Sequence, residues 1–112
     1  MYKNIPVEQF VQEIKDGLLK NEMIVDVREW FEWNECHLSD AVLKPMQTIP
    51  HEMNQFSSEQ EIYIVCAHGV RSEHVAHFLA TNGFTNIINV QDGMAAIVAL
   101  VGEDSELLKK GE

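Results

Sequence analysis

The chain has 112 residues, of which 46% are hydrophobic and 23% charged; that is enough apolar material to bury about two-thirds of its surface in one domain, and it argues against disorder. Eighteen carboxylates against eight Lys and Arg leave a formal charge of −10, which argues against nucleic acid and anionic membrane as partners, since both are bound by Lys and Arg. Two cysteines are too few for a disulfide scaffold, no apolar run approaches the roughly 18–20 residues of a membrane span, and residues 1–6 carry no charged-then-apolar leader, so the expected setting is a reducing cytoplasm with Cys36 and Cys66 as free thiols.

In chain order, a weak strand is predicted over residues 2–5. Pro6 suits the first turn of a helix whose apolar stripe is Val7, Phe10, Val11, Ile14 and Leu18, with Gly17 weakening its end. Apolar runs at residues 23–25, 41–43, 62–65 and 87–90 read as further strands. They lack in/out alternation, which marks strands buried on both faces of a parallel sheet. Short helices are expected over 29–35, 50–56 and 94–100. A stronger one begins at about Arg71, carries Val75, Phe78 and Leu79 inward, and stops at Asn82-Gly83. Residues 103–112 are polar around Leu107 and Leu108, and are expected to form a loose terminal helix. The pattern is α/β: one domain over 1–112 with its core in residues 5–100, built on a central, mostly parallel five-stranded sheet with helices on both faces.

Ligands of such sheets bind beyond the carboxyl ends of the strands. Three ends are informative: Asp26-Val27-Arg28-Glu29, Cys66-Ala67-His68-Gly69-Val70-Arg71-Ser72 and Gln91-Asp92-Gly93. In the second, Gly69 is free to take a positive φ, so a tight turn can aim its amides inward as an anion nest, with the positive end of the next helix behind them. A sulfur anion at residue 66 is what those dipoles favour. Arg71 adds positive charge at the rim.

These residues resemble the active-site loop of rhodanese domains, Cys-x-x-Gly-x-Arg-Ser. Asp26-Val27-Arg28-Glu29 is similar to that family's Asp-Val-Arg motif, and residues 35–41 to its Gly-His-Ile-x-Gly-Ala segment. Residues 78–84 resemble its Leu-x-x-x-Gly-Phe helix end, and residues 92–96 its Gly-Gly-Met turn. Cys36, Asp40 and Asp92 stand where the family usually has glycine. The resemblance runs from about Ile5 to Leu100 and implies a rhodanese-like fold and sulfur transfer. Cys66 would take a sulfane sulfur from thiosulfate or a persulfide and pass it to a thiophilic acceptor. Ala67, His68, Gly69, Val70, Arg71 and Ser72 would form the substrate cradle, braced by Asp26 and Arg28. No cofactor or metal is implied; partners would be a small-molecule sulfur donor and acceptor or a sulfur-carrier protein. Related phosphatase and arsenate-reductase loops carry one residue more between Cys and Arg, so the shorter loop favours a single sulfur over an oxyanion. The alternative from another class is a non-catalytic binding module on the same fold.

Several side chains keep two readings. Arg71 either binds an oxyanion or pairs with a carboxylate such as Asp26. Ser72 either caps the helix start, the favoured reading, or donates to the sulfur, and His68 either faces solvent, the favoured reading, or docks the acceptor. Cys36 beside His37 is a packed helix-end residue or a resolving thiol. His74 and His77 fit a solvated helix face better than a metal site. Trp30, Phe31 and Trp33 divide between core and either a pocket wall or a partner surface.

Overall fold

The uninterrupted apolar runs become the middle of a parallel sheet. In the computed structural model, which describes residues 1–111, the elements in order are β1 (Lys3–Ile5), α1 (Val7–Lys15), β2 (Met23–Asp26), α2 (Trp30–Glu35), β3 (His37–Leu38) and β4 (Val42–Leu43). Then follow α3 (Ile49–Glu52), β5 (Ile62–Val65), α4 (Val70–Thr81), β6 (Ile87–Val90), α5 (Gly93–Val101) and β7 (Leu108–Lys109). Five strands form one sheet in the order β1-β6-β5-β2-β4, and every pairing within it is parallel.

Every residue of β5 and β6 is buried, because helices cover both faces. On one face Phe10 and Val11 of α1 and Met94 and Ile97 of α5 pack against Tyr63, Val65, Ile88 and Val90. On the other, Ile49 of α3 and Val75, Ala76 and Leu79 of α4 meet Val25, Ile62, Ile64 and Ile87. The register sets Asp26 beside Val65 and Ile5 beside Val90. The segments that follow β2, β5 and β6 therefore emerge along one edge.

Three expectations are corrected. Helix α1 ends at Lys15 rather than continuing to Leu18, because Gly17 takes φ 73° and turns the chain. Leu18 is thereby left 64% exposed, and Leu19 is buried in its stead. The helix expected over 50–56 starts earlier, as a 3-10 turn over Met46–Thr48, and is cut short by a second 3-10 turn over Met53–Gln55. The tail is not helical over its described residues: β7 pairs antiparallel with β3, and Leu107 and Leu108 pack against the α1/α5 core. Cross-strand hydrogen bonding and burial of this leucine pair outweigh the weak local helix preference of a short polar segment. The last residue of that expected helix, Glu112, lies outside the described residues.

Replacing Leu19 by Ala should cost about 2–4 kcal/mol in urea denaturation, as expected for a buried leucine. Leu18→Lys should stay within about 0.5 kcal/mol of the parent, as expected at an exposed site.

Candidate active site

The alternation of β5 decides where Cys66 points. Ile62, Ile64 and Cys66 share the α4 face, so the thiol arrives under the start of that helix. Gly69 is the residue before α4 and has φ 94°, ψ −6°, a left-handed turn that glycine adopts without steric cost. This turn brings two main-chain amides onto Sγ: Gly69 N–H donates at 3.1 Å and Ser72 N–H at 3.3 Å. The amides of Val70 and Arg71, in the first turn of α4, have no intrahelical acceptor. Cys66 itself is only 1% exposed, so its sulfur sits at the base of the loop rather than on the rim. Ala67 is half-buried, while His68 and Val70 are exposed.

The loop is held from behind by the turn between β6 and α5. Met94 N–H donates to the carbonyl of Cys66 at 2.8 Å, and Ala95 N–H to that of Ala67 at 3.0 Å. This close approach requires glycine at position 93: a Cβ there would lie 2.3 Å from the Cys66 carbonyl oxygen. Asp92, preceding it, has φ 62°, a conformation costing a non-glycine residue roughly 1–2 kcal/mol.

Asp26 and Arg28 form a fully internal brace. The guanidinium donates to the carboxylate through Nε at 3.0 Å and Nη2 at 2.8 Å, and the Arg28 amide donates to the same carboxylate at 3.0 Å. Nη2 also donates to the carbonyl of Cys36 at 2.7 Å. The end of β2 is thus tied to the junction between α2 and β3.

Arg71 pairs with Glu32, not Asp26. Nη1 and Nη2 donate to the two carboxylate oxygens at 2.8 Å each, the fork-to-fork geometry that suits guanidinium and carboxylate. Hydrogen bonding from Arg71 holds the Glu32 carboxyl down at about 2, against the opposing effect of burial. Glu32 is also the inner half of a capping box with Glu29 at the start of α2, which fixes it in place. The sequence contains that capping signal, but nothing local indicates that Glu32 reaches Arg71.

Ser72 does not cap α4; Gly69 occupies that position. Its hydroxyl lies inside the site, accepting from the Cys66 thiol at 3.4 Å and donating to Asn89 Oδ1 at 2.6 Å. Asn89 Nδ2 donates in turn to Asn4 Oδ1 at 3.0 Å. A polar chain therefore runs from the sheet edge to the sulfur. Asn89 was detectable as the single polar residue in an otherwise apolar strand, a position where burial demands a partner.

Both cysteines are free. Cys36 lines a cavity of about 290 Å³ with Arg28, Ala67, Met94, Ala95 and Val98, on the α5 side of the sheet, whereas the Cys66 sulfur belongs to the α4 side. Burial pushes the Cys36 thiol above its ordinary range despite nearby Arg28. His37 is buried, stacked on Trp33 at 3.6 Å, with Nδ1 hydrogen-bonded to the Trp33 carbonyl. Trp30 and Phe31 are 55% and 65% exposed. His74 and His77 face solvent, and among the described residues no group of three or more His, Cys, Asp or Glu is gathered as a metal ligand set. None of the described helices is long and apolar enough to cross a membrane.

Gly93→Ala should cost roughly 2–4 kcal/mol by overpacking and backbone strain, read as a lowered denaturation midpoint. Because the Glu32 carboxyl lies below its unfolded value, its contribution to stability is present above about pH 4.5 and is lost as pH falls toward 2. A carbon-13 NMR titration should place the Glu32 carboxyl near 2 in the parent, and back toward the unperturbed range in Arg71→Ala.

The rhodanese-like domain model matches residues 7–100 of the chain. The chain is 36% identical over 90 residues to the putative sulfur carrier protein YrkF of Bacillus subtilis, covering 80% of this chain and 48% of that one, so it spans about half that relative's length. It is 27% identical over 95 residues to the thiosulfate sulfurtransferase GlpE of Shewanella oneidensis, covering 85% of this chain and 91% of the relative. A crystal structure of a rhodanese-like domain protein from Staphylococcus aureus superposes with a TM-score of 0.77 at 37% identity, covering 98% of this chain and 99% of that one. With the parallel sheet and the Cys66 loop at its carboxyl edge, these matches establish that the chain belongs to the rhodanese-like domain family.

Proposed function

We propose that the chain is a sulfurtransferase working through a persulfide on Cys66. In the first half-reaction the Cys66 thiolate attacks the outer sulfur of a donor, and the donor's remaining fragment leaves with the bonding electron pair. In the second, a thiophilic acceptor attacks the terminal sulfur of the persulfide and restores the thiolate. Ala67, His68, Gly69, Val70, Arg71 and Ser72 form the cradle, and the amides at the start of α4 stabilise the anionic sulfur. Asp26 and Arg28 hold the neighbouring backbone in place. The observation that carries this proposal is the pair of main-chain N–H groups directed at Sγ from Gly69 and Ser72. The names of the sulfur-carrier and sulfurtransferase relatives support a sulfur donor or a carrier protein as partner. A reducing cytoplasm, in which both thiols stay free, suits the chemistry.

One observation favours the second reading, a non-catalytic binding module: the 1% exposure of Cys66. Sulfur loading separates the two. Incubation with thiosulfate or an alkyl persulfide, followed by intact mass measurement, should add one sulfur atom to the parent and none to Cys66→Ser. Ser72→Ala should load about tenfold more slowly, having lost the hydroxyl that holds the Cys66 sulfur in place and ties it to Asn89. A parent that takes up no sulfur from any donor leaves the binding module standing, and turnover of an aryl phosphate without an adduct would indicate phosphatase chemistry.

A further inference from the structure

Three cations lie at the carboxyl edge of the sheet, and each is matched with a carboxylate. Arg28 pairs with Asp26, Lys44 with Glu52 at 2.6 Å, and Arg71 with Glu32. Arg71 matters most, since it belongs to the Cys66 loop. Both of its terminal nitrogens are spent on Glu32, which leaves no fork for a second anion. Glu29 stands one turn before Glu32 on the same capping box. Exposed Glu73 follows in the first turn of α4, with its carboxylate engaged by the Tyr2 hydroxyl. The Asp92 backbone lies against the loop, with its amide nitrogen 3.0 Å from where a Cβ on Gly69 would sit. His68 is the remaining group in the loop able to carry positive charge, and it faces solvent.

The mouth is therefore poor in free positive charge. What it offers a ligand is main-chain N–H groups at the sulfur and, on the outside, the apolar side chain of Val70, 63% exposed in the first turn of α4. An amide cradle stabilises one terminal sulfur at its base. It supplies nothing to neutralise a sulfonate at the rim, and the chain's charge of −10 repels a dianion on approach.

Building on the sulfurtransferase proposal, we infer that this site takes its sulfur from a thiol-borne persulfide in preference to a free sulfur oxyanion, with Glu32 setting that preference by occupying Arg71. The step is R–S–SH with the Cys66 thiolate. The Cys66 sulfur bonds to the terminal sulfur, and the bond between that sulfur and R–S breaks. R–S⁻ leaves with the electron pair and collects the terminal proton as R–SH, leaving the Cys66 persulfide as the anion. No external oxidant or reductant enters. Glu32 is a positioning residue, because it acts only through Arg71.

The test is single-turnover loading followed by intact mass, with thiosulfate and with cysteamine persulfide, for the parent, Glu32→Gln and Glu35→Gln. Glu35→Gln removes the same charge from an exposed site on the same helix. The parent should load faster from cysteamine persulfide. Glu32→Gln should load from thiosulfate roughly three- to tenfold faster at low salt, through a lower half-saturating concentration rather than a higher maximal rate, and this gain should shrink as salt rises. Its rate with cysteamine persulfide should stay within about twofold of the parent, the scale of an exposed ion pair's influence. Parent loading from thiosulfate should also accelerate with salt, a result that needs no variant to fold. Faster parent loading from thiosulfate, an unchanged donor ratio in Glu32→Gln, or an equal gain in Glu35→Gln would overturn the preference while leaving sulfur transfer intact. Absence of loading from both donors would remove the sulfurtransferase proposal itself.

Discussion

The structure is organised around a sulfur atom held beneath the first turn of a helix by main-chain amides. Burying a polarisable group at the end of a parallel strand is ordinary packing; directing Gly69 N–H and Ser72 N–H at it is not. That geometry has two requirements: a left-handed residue at position 69 and a loop backbone that cannot drift. Gly69 meets the first. The second falls to the β6–α5 turn, where Gly93 lets two amides close on the carbonyls of Cys66 and Ala67. The parallel register makes this possible by ending β5 and β6 at one edge, so that the loop after one strand braces the loop after the other.

Electrostatics at this edge is largely internal. Asp26 and Arg28 neutralise one another inside the fold, and Arg28 also satisfies the Cys36 carbonyl. Such a pair contributes less to net stability than its short distances suggest, since both ions surrender hydration. Its effect is geometric, fixing the exit of β2 against the entry to β3. Glu32 and Arg71 are partly exposed and more open to screening. Their pairing joins α2 to the Cys66 loop across a long stretch of sequence, so the charge state of one short helix is felt at the loop.

Much of this was legible in the sequence. Apolar runs without alternation announced strands covered on both faces, and Gly69 between a strand end and an amphipathic helix announced the nest. Long-range partners were not legible. Arg71 has several carboxylates to choose from, and only the fold decides that Glu32, seated by its capping box, is the one within reach. Ser72 read as a helix cap because local rules place serine there; glycine took that position, and the buried hydroxyl turned toward Asn89. The tail read as a helix because a Leu-Leu pair in a polar segment carries no sign of the β3 edge waiting for it. Leu18 and Leu19 exchanged roles for a related reason: a positive φ at Gly17 resets the helical phase, and no periodicity count contains that turn.

The hydrogen-bonded series from Asn4 through Asn89 and Ser72 to Cys66 has a consequence of its own. Asn4 is exposed on the outermost strand of the sheet, yet it orients an amide whose other end orients the hydroxyl touching the thiol. The buried Cys66 sulfur thus has a handle on the outside of the molecule. Whatever rotates or displaces the Asn4 carboxamide, whether a neighbouring surface or a deamidation, changes which way the Ser72 proton is turned without touching the loop at all.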